Sequence, residues 1–190
     1  MNEVFDSENQ WAMNSLKKDE FFAQISQQDR TRIIDESIDF GTHLAEKIRE
    51  KISVPAGVES IRKMLVTLGC GVRVDDESGL PGPMSEYEED LLAARFFTLR
   101  IRQRALAAAD RGEWRSGWCE LYEQCLAWEL FHHVENTISG KASHHVRFKE
   151  RLLGMVPVSR PVETSREIAG LVFVRDFLGL TGIPLLMRDE

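Results

Sequence analysis

Apolar side chains recur at helical spacing over residues 29–51, where Ile34, Ile38, Leu44 or Ala45, and Ile48 share one face and charges occupy the other. Pro55 opens a second helical pattern through Val58, Ile61, Leu65 and Leu68, and Gly69 suits its stop. The period then changes to two: Gly71-Val72-Arg73-Val74 alternates as a short strand does, and the breaker-rich loop DDESGLPGPMSE follows. Residues 94–102 fit strand, helix, or part of each. Helical spacing returns over 114–135, with Leu121, Cys125 and Trp128 in register. His145-Val146-Arg147-Phe148 reads as a short strand. Pro161, Thr164 and Ser165 mark the start of a last helix through Leu178, which Gly179 and Pro184 end. Residues 1–15 carry no clear period and read as an arm, although Trp11 could dock. The pattern predicts an α+β fold, mostly helical with a small β-sheet, in which residues 1–28 form an N-terminal arm or helix and residues 29–190 one domain.

Composition narrows the function more than the fold. The chain has 190 residues, 43% hydrophobic and 29% charged, enough to bury a real core. Its formal charge of −7 repels phosphate backbones, so nucleic acid is not expected as a partner. The arginines between 95 and 104 alternate with Phe96, Phe97, Leu99 and Ile101 and read as the solvated face of an ordinary element. No apolar run approaches the roughly 20 residues that span a bilayer, and MNEVFDSENQ has no signal-peptide pattern. Cys70, Cys119 and Cys125 are an odd set without a CxxC pair, as in a reducing compartment. A cytoplasmic protein with no membrane association is the expectation.

Chemistry concentrates in LAWELFHHVE, residues 126–135. Side chains four apart on a helix stand one above the other, so positions 128 and 132 face the same point. Two histidines there would bind one zinc, and Glu129 beside them would activate its water. Position 128 is tryptophan, whose indole has one N–H donor and no lone pair for a metal. His133 points about 100° away from His132 around the helix. His144 and His145 lie in a polar segment, His43 on the 29–51 helix reads as partly buried, and Cys125 reads as core. Glu129-x-x-His132 also matches one ExxH of a di-iron bundle, but no second ExxH exists. Trp114, Trp118 and Trp128 read as core aromatics.

LAWELFHHVE resembles the AHELFHHxE helix of the ImmA/IrrE family of zincin-like zinc metallopeptidases, with Trp128 in place of the first histidine. SREIAGLVFVRDFLGL, residues 165–180, resembles the family's later helix, and Gly71-Val72-Arg73-Val74 its short GVxV strand. The likeness spans about 33–186. It implies a zincin-like fold in a bacterial protein, with His132 as second zinc histidine, Glu129 as catalytic base and Glu167 as the glutamate completing the metal site. Family members cut or sense partner proteins, often transcriptional repressors. With Trp128 filling the first ligand's place, the reading is a non-catalytic metallopeptidase-like protein, a pseudoenzyme in a binding or regulatory role with a protein partner and no cofactor at full occupancy. The alternative is a working metallohydrolase whose zinc, or another divalent metal, sits on Glu129, His132 and Glu167.

The residues themselves add one constraint. Glu167 borders the apolar run 168–174, where a carboxylate needs a cation, a metal or hydrogen bonds. Arg166 and Arg160 are the nearest arginines in sequence, and the indole N–H of Trp128 would find an acceptor in Glu167 or Glu163.

Overall fold

The computed structural model describes residues 2–51, 57–76, 82–110, 118–152, 155–182 and 184. Pro55, Trp114 and part of the loop after the first strand lie outside the described residues. The fold is α+β. Its helices are α1 (Asn2–Leu16), α2 (Gln27–Arg49), α3 (Val58–Thr67), α4 (Thr98–Asp110), α5 (Trp118–Val134), the single turn α6 (Ala142–His145) and α7 (Thr164–Leu178). The strands are β1 (Gly71–Asp75), β2 (Ser85–Glu88), β3 (Ala93–Phe97), β4 (Arg147–Leu152) and β5 (Val156–Pro161).

Helix α2 begins where the Ser26 hydroxyl accepts the Asp29 N–H at 3.1 Å, and it buries Ile33, Ile34, Leu44, Ala45 and Ile48. It lies so close to α7 that a methyl group on Gly41 would stand 2.3 Å from the Ala169 carbonyl oxygen. Gly69 ends α3 in the left-handed region (φ +86°), and the Cys70 N–H donates back to the Leu65 carbonyl at 2.8 Å. Residues 94–102 divide: strand through Phe97, then helix from Thr98.

One sheet has the order β1-β3-β2, with β1 parallel and β2 antiparallel to β3. Its inner face packs on α5 through Phe96, whose ring meets Tyr122 edge-on at 5.1 Å. Arg95 spans Asp75 and Glu88 on the outer face, and Arg100 stacks on Phe97, so these arginines are held by their own sheet. The second sheet is the β4–β5 hairpin, where β4 starts at Arg147 rather than at His145. Pro157 and Pro161 in β5 do not break it. The Val162 N–H bonds the Val146 carbonyl, which places both prolines at the alternate positions whose nitrogens face away from β4.

Residues 2–16 form a helix. Ala12 and Leu16 are buried with Ile33, Ile34, Phe148 and Ile168, and Trp11 packs at the edge of this smaller core. The main core gathers α2, α3, α4, α5, α7 and the inner sheet face around Phe131, Phe173 and Phe177. No helix among the described residues is long and apolar enough to cross a membrane.

Candidate functional site

Helix α5 is buried on nearly every side, by α3, α4, the sheet and α7. Polar groups on such a helix must find partners. His133 does. Its Nε2 lies 3.0 Å from the Leu68 carbonyl, which can only accept, so this nitrogen carries the proton. In the neutral ring Nδ1 then accepts the Tyr87 hydroxyl at 2.9 Å. His133 therefore faces the α3–β1 junction and β2, away from His132.

The adjoining face of α5, also beneath β2, opens into a cleft of about 390 Å³. One wall runs along Pro83, Ser85, Glu86, Tyr87 and Glu89; the other is Trp128, Glu129 and His132; Arg166 of α7 closes one end. Glu129 has no exposed surface, and neither carboxylate oxygen has a hydrogen-bond partner in the chain. Burial pushes its pKa up to about 8; the nearby Ser85 hydroxyl and Arg166 temper the rise and Glu86 adds to it. Burial likewise holds the His132 imidazole below its ordinary value, with Glu135 partly opposing. Its Nδ1 is 3.6 Å from Glu135 Oε2, too far for a hydrogen bond. At neutral pH the cleft floor is an uncharged acid beside an uncharged imidazole.

Trp128 is half-buried and meets the His132 ring edge-on, with centroids 4.8 Å apart. Its indole lies against the bare backbone of Gly170, where a methyl group would come within 2.7 Å of Cζ3. The tryptophan thus sits between α5 and α7, beside His132. Glu167 does not join it. That carboxylate lies 3.8 Å from Lys18 Nζ, beyond the end of α1, so its cation is a lysine distant in sequence rather than Arg166 or Arg160. Glu163 is exposed on a separate cleft with Lys18, Asp19 and Arg160, and neither Glu163 nor Glu167 lines the cleft of His132.

Arg166 instead donates from Nε to Glu135 Oε2 at 2.5 Å. Glu135 is fully buried and also accepts the Ala142 N–H at 2.7 Å. Burial raises its pKa, but His132, the Ala142 N–H and Arg166 together outweigh burial and leave the carboxyl below its ordinary value. This ion pair ties α5 to α7. Sequence reading passed over it; its only local trace is that Glu135 stands one turn beyond His132.

The donor set does not fit a zinc ion. Trp128, which offers no lone pair to a metal, lines the cleft beside His132, and Glu167 faces Lys18. No group of three or more His, Cys, Asp or Glu side chains among the described residues is placed to hold a metal. The remaining candidates lie elsewhere. Cys125 is buried in the core with its thiol pushed up by burial, His43 is exposed rather than partly buried, and His144 and His145 are exposed.

The cleft wall has a second property. The Phe97 N–H bonds the Met84 carbonyl and Ser85 pairs with Phe96, so Glu86 and Glu88 turn their backbone groups to β3. The backbone N–H and C=O of Ser85 and Tyr87 therefore point outward along the sheet edge, and among the described residues no strand pairs with them. No protein-family model matches this sequence, and no curated protein or solved structure matches it either.

Proposed function

We propose that this chain is a zincin-like domain of the ImmA/IrrE type that has no hydrolytic activity and serves as a binding protein, taking an extended polypeptide segment along β2 above α5. The observation that carries the reading is the position of Trp128. It stands where the first zinc histidine would be, edge-on to His132 and packed on Gly170. The buried Glu135–Arg166 pair supports the same reading, because it joins α5 to α7 without a metal. The outward backbone groups of Ser85 and Tyr87 offer a strand-shaped ligand what an edge strand offers any added strand. A regulatory partner protein presenting such a segment is the natural ligand class. The working metallohydrolase has in its favour that Glu129 and His132 share the cleft, and against it that Glu167 lies with Lys18.

A blocked pentapeptide with a neutral centre, acetyl-Ala-Val-Nle-Val-Ala-amide, tests the reading. Titrated into isotopically labelled protein, it should shift the amide signals of Ser85 and Tyr87. It should also survive prolonged incubation with added zinc. Peptide cleavage that disappears in Glu129→Gln would overturn the proposal in favour of the hydrolase, and unmoved β2 signals would remove the binding role.

A further inference from the structure

We infer that the cleft between β2 and α5 seats a basic side chain of the bound segment, its lysine or arginine head lying against Glu129, with Glu86 adding negative charge from the cleft's β2 wall. The inference rests on the peptide-binding reading above. It starts from the accounting of charges around the cleft. Arg166 is answered by Glu135, and Glu89 by Lys141 at 3.1 Å. Glu88 reaches across the sheet to Arg95. Glu86 and Glu129 remain. Glu129 is fully buried, lines the cleft, and has both oxygens without a partner.

A buried carboxyl that forms no hydrogen bond is a costly arrangement unless something completes it. A cation completes it best, because the acid then ionises and gains a charge-assisted contact. An apolar side chain would leave both oxygens unpaired. An anion would meet two carboxyl groups, and the cleft's one cation among the described residues, Arg166, is already engaged. Trp128 at the rim adds an aromatic surface that favours a cation over a neutral group.

Binding then carries a proton balance. The Glu129 carboxyl, held near a pKa of 8 by burial, with Glu86 also raising it and Ser85 and Arg166 lowering it, is mostly protonated at pH 7. Cys70, Tyr87 and Cys125 also couple to it electrostatically, but as neutral groups whose own pKa values are raised. When an ammonium or guanidinium head arrives, the carboxyl O–H breaks, the proton passes to buffer, and the carboxylate pairs with the cation. Seating a basic side chain should therefore release close to one proton.

Calorimetry with two blocked pentapeptides decides the matter: acetyl-Ala-Val-Lys-Val-Ala-amide and its norleucine counterpart, each titrated at pH 7 in phosphate and in Tris. The lysine peptide is expected to bind at least about tenfold tighter, a difference of about 1.4 kcal/mol. Its apparent heat should differ between the buffers by nearly one proton's ionisation. Glu129→Gln should abolish both the preference and the proton release. Glu86→Gln, at an exposed position, should reduce the preference about threefold, and it keeps the test open if the buried variant folds poorly. Equal affinity for the two peptides sinks the inference while leaving the peptide-binding reading intact. A lysine preference that survives in Glu129→Gln also sinks it. Binding of neither peptide removes both.

Discussion

Replacing Glu129 by glutamine should change how stability depends on pH, and the size of the change follows from the site. An exposed glutamate titrates near 4.5, whereas burial in the cleft moves this one to about 8. Between those values the folded chain holds a proton that the unfolded chain has lost. A group whose pKa is raised on folding contributes stability at low pH and loses it as pH rises. The contribution of Glu129 is thus complete below about 4.5, declines by about 1.4 kcal/mol per pH unit, and is gone near 8. The full swing is on the order of 5 kcal/mol. Glutamine keeps the shape but cannot ionise, so its cost as a buried unpaired amide, about 1–3 kcal/mol, is constant with pH. Urea unfolding at pH 5, 6, 7 and 8 should show wild type losing stability relative to Glu129→Gln at each step, with the two curves crossing between about pH 5 and 7 and wild type lower by roughly 2–4 kcal/mol at pH 8. Parallel pH profiles would mean that Glu129 is solvated or partnered, and the account of an empty, unpaired acid would be wrong.

Three other substitutions probe the ties between helices. Arg166→Met leaves Glu135 buried without its cation and should cost about 3 kcal/mol, a fall of roughly 6–12 °C in Tm, while Glu135→Gln/Arg166→Met should recover at least half of that; no recovery would deny the pair its role. Gly41→Ala forces a methyl group to within 2.3 Å of a backbone oxygen that cannot step aside, so α2 and α7 must separate, at a cost of about 3 kcal/mol by thermal melting; an unchanged Tm would refute the close approach. Trp128→His places two imidazoles on adjacent turns and should raise zinc affinity at least about tenfold by calorimetry, and no gain in a folded variant would argue against a zincin-like scaffold.

Much of this fold was legible because it is local. The face of α2, the Gly69 stop and the β1 alternation each follow from a few neighbouring residues. Strand β5 was hidden by Pro157 and Pro161, which look like breakers until the register shows their nitrogens turned away from β4. Where the N-terminal helix packs was not legible, because its partners, Phe148 and Ile168, lie far along the chain. In the site, the nearness of Trp128, Glu129 and His132 on one helix is written in the sequence. The choice of cations is not. Arg166 precedes Glu167 yet pairs with Glu135, and Glu167 takes Lys18 from near the other end of the chain, because neighbours on a helix point about 100° apart. No spacing rule anticipates partners that only tertiary packing brings together.

The central proposal is that the site of Trp128, Glu129 and His132 binds its ligand without a metal, and zinc content measures it most directly. Protein purified without a histidine tag and analysed by inductively coupled plasma mass spectrometry should carry well under one zinc, or any other divalent metal, per chain. About one metal ion per chain would contradict the account and restore the hydrolase built on Glu129, His132 and Glu167.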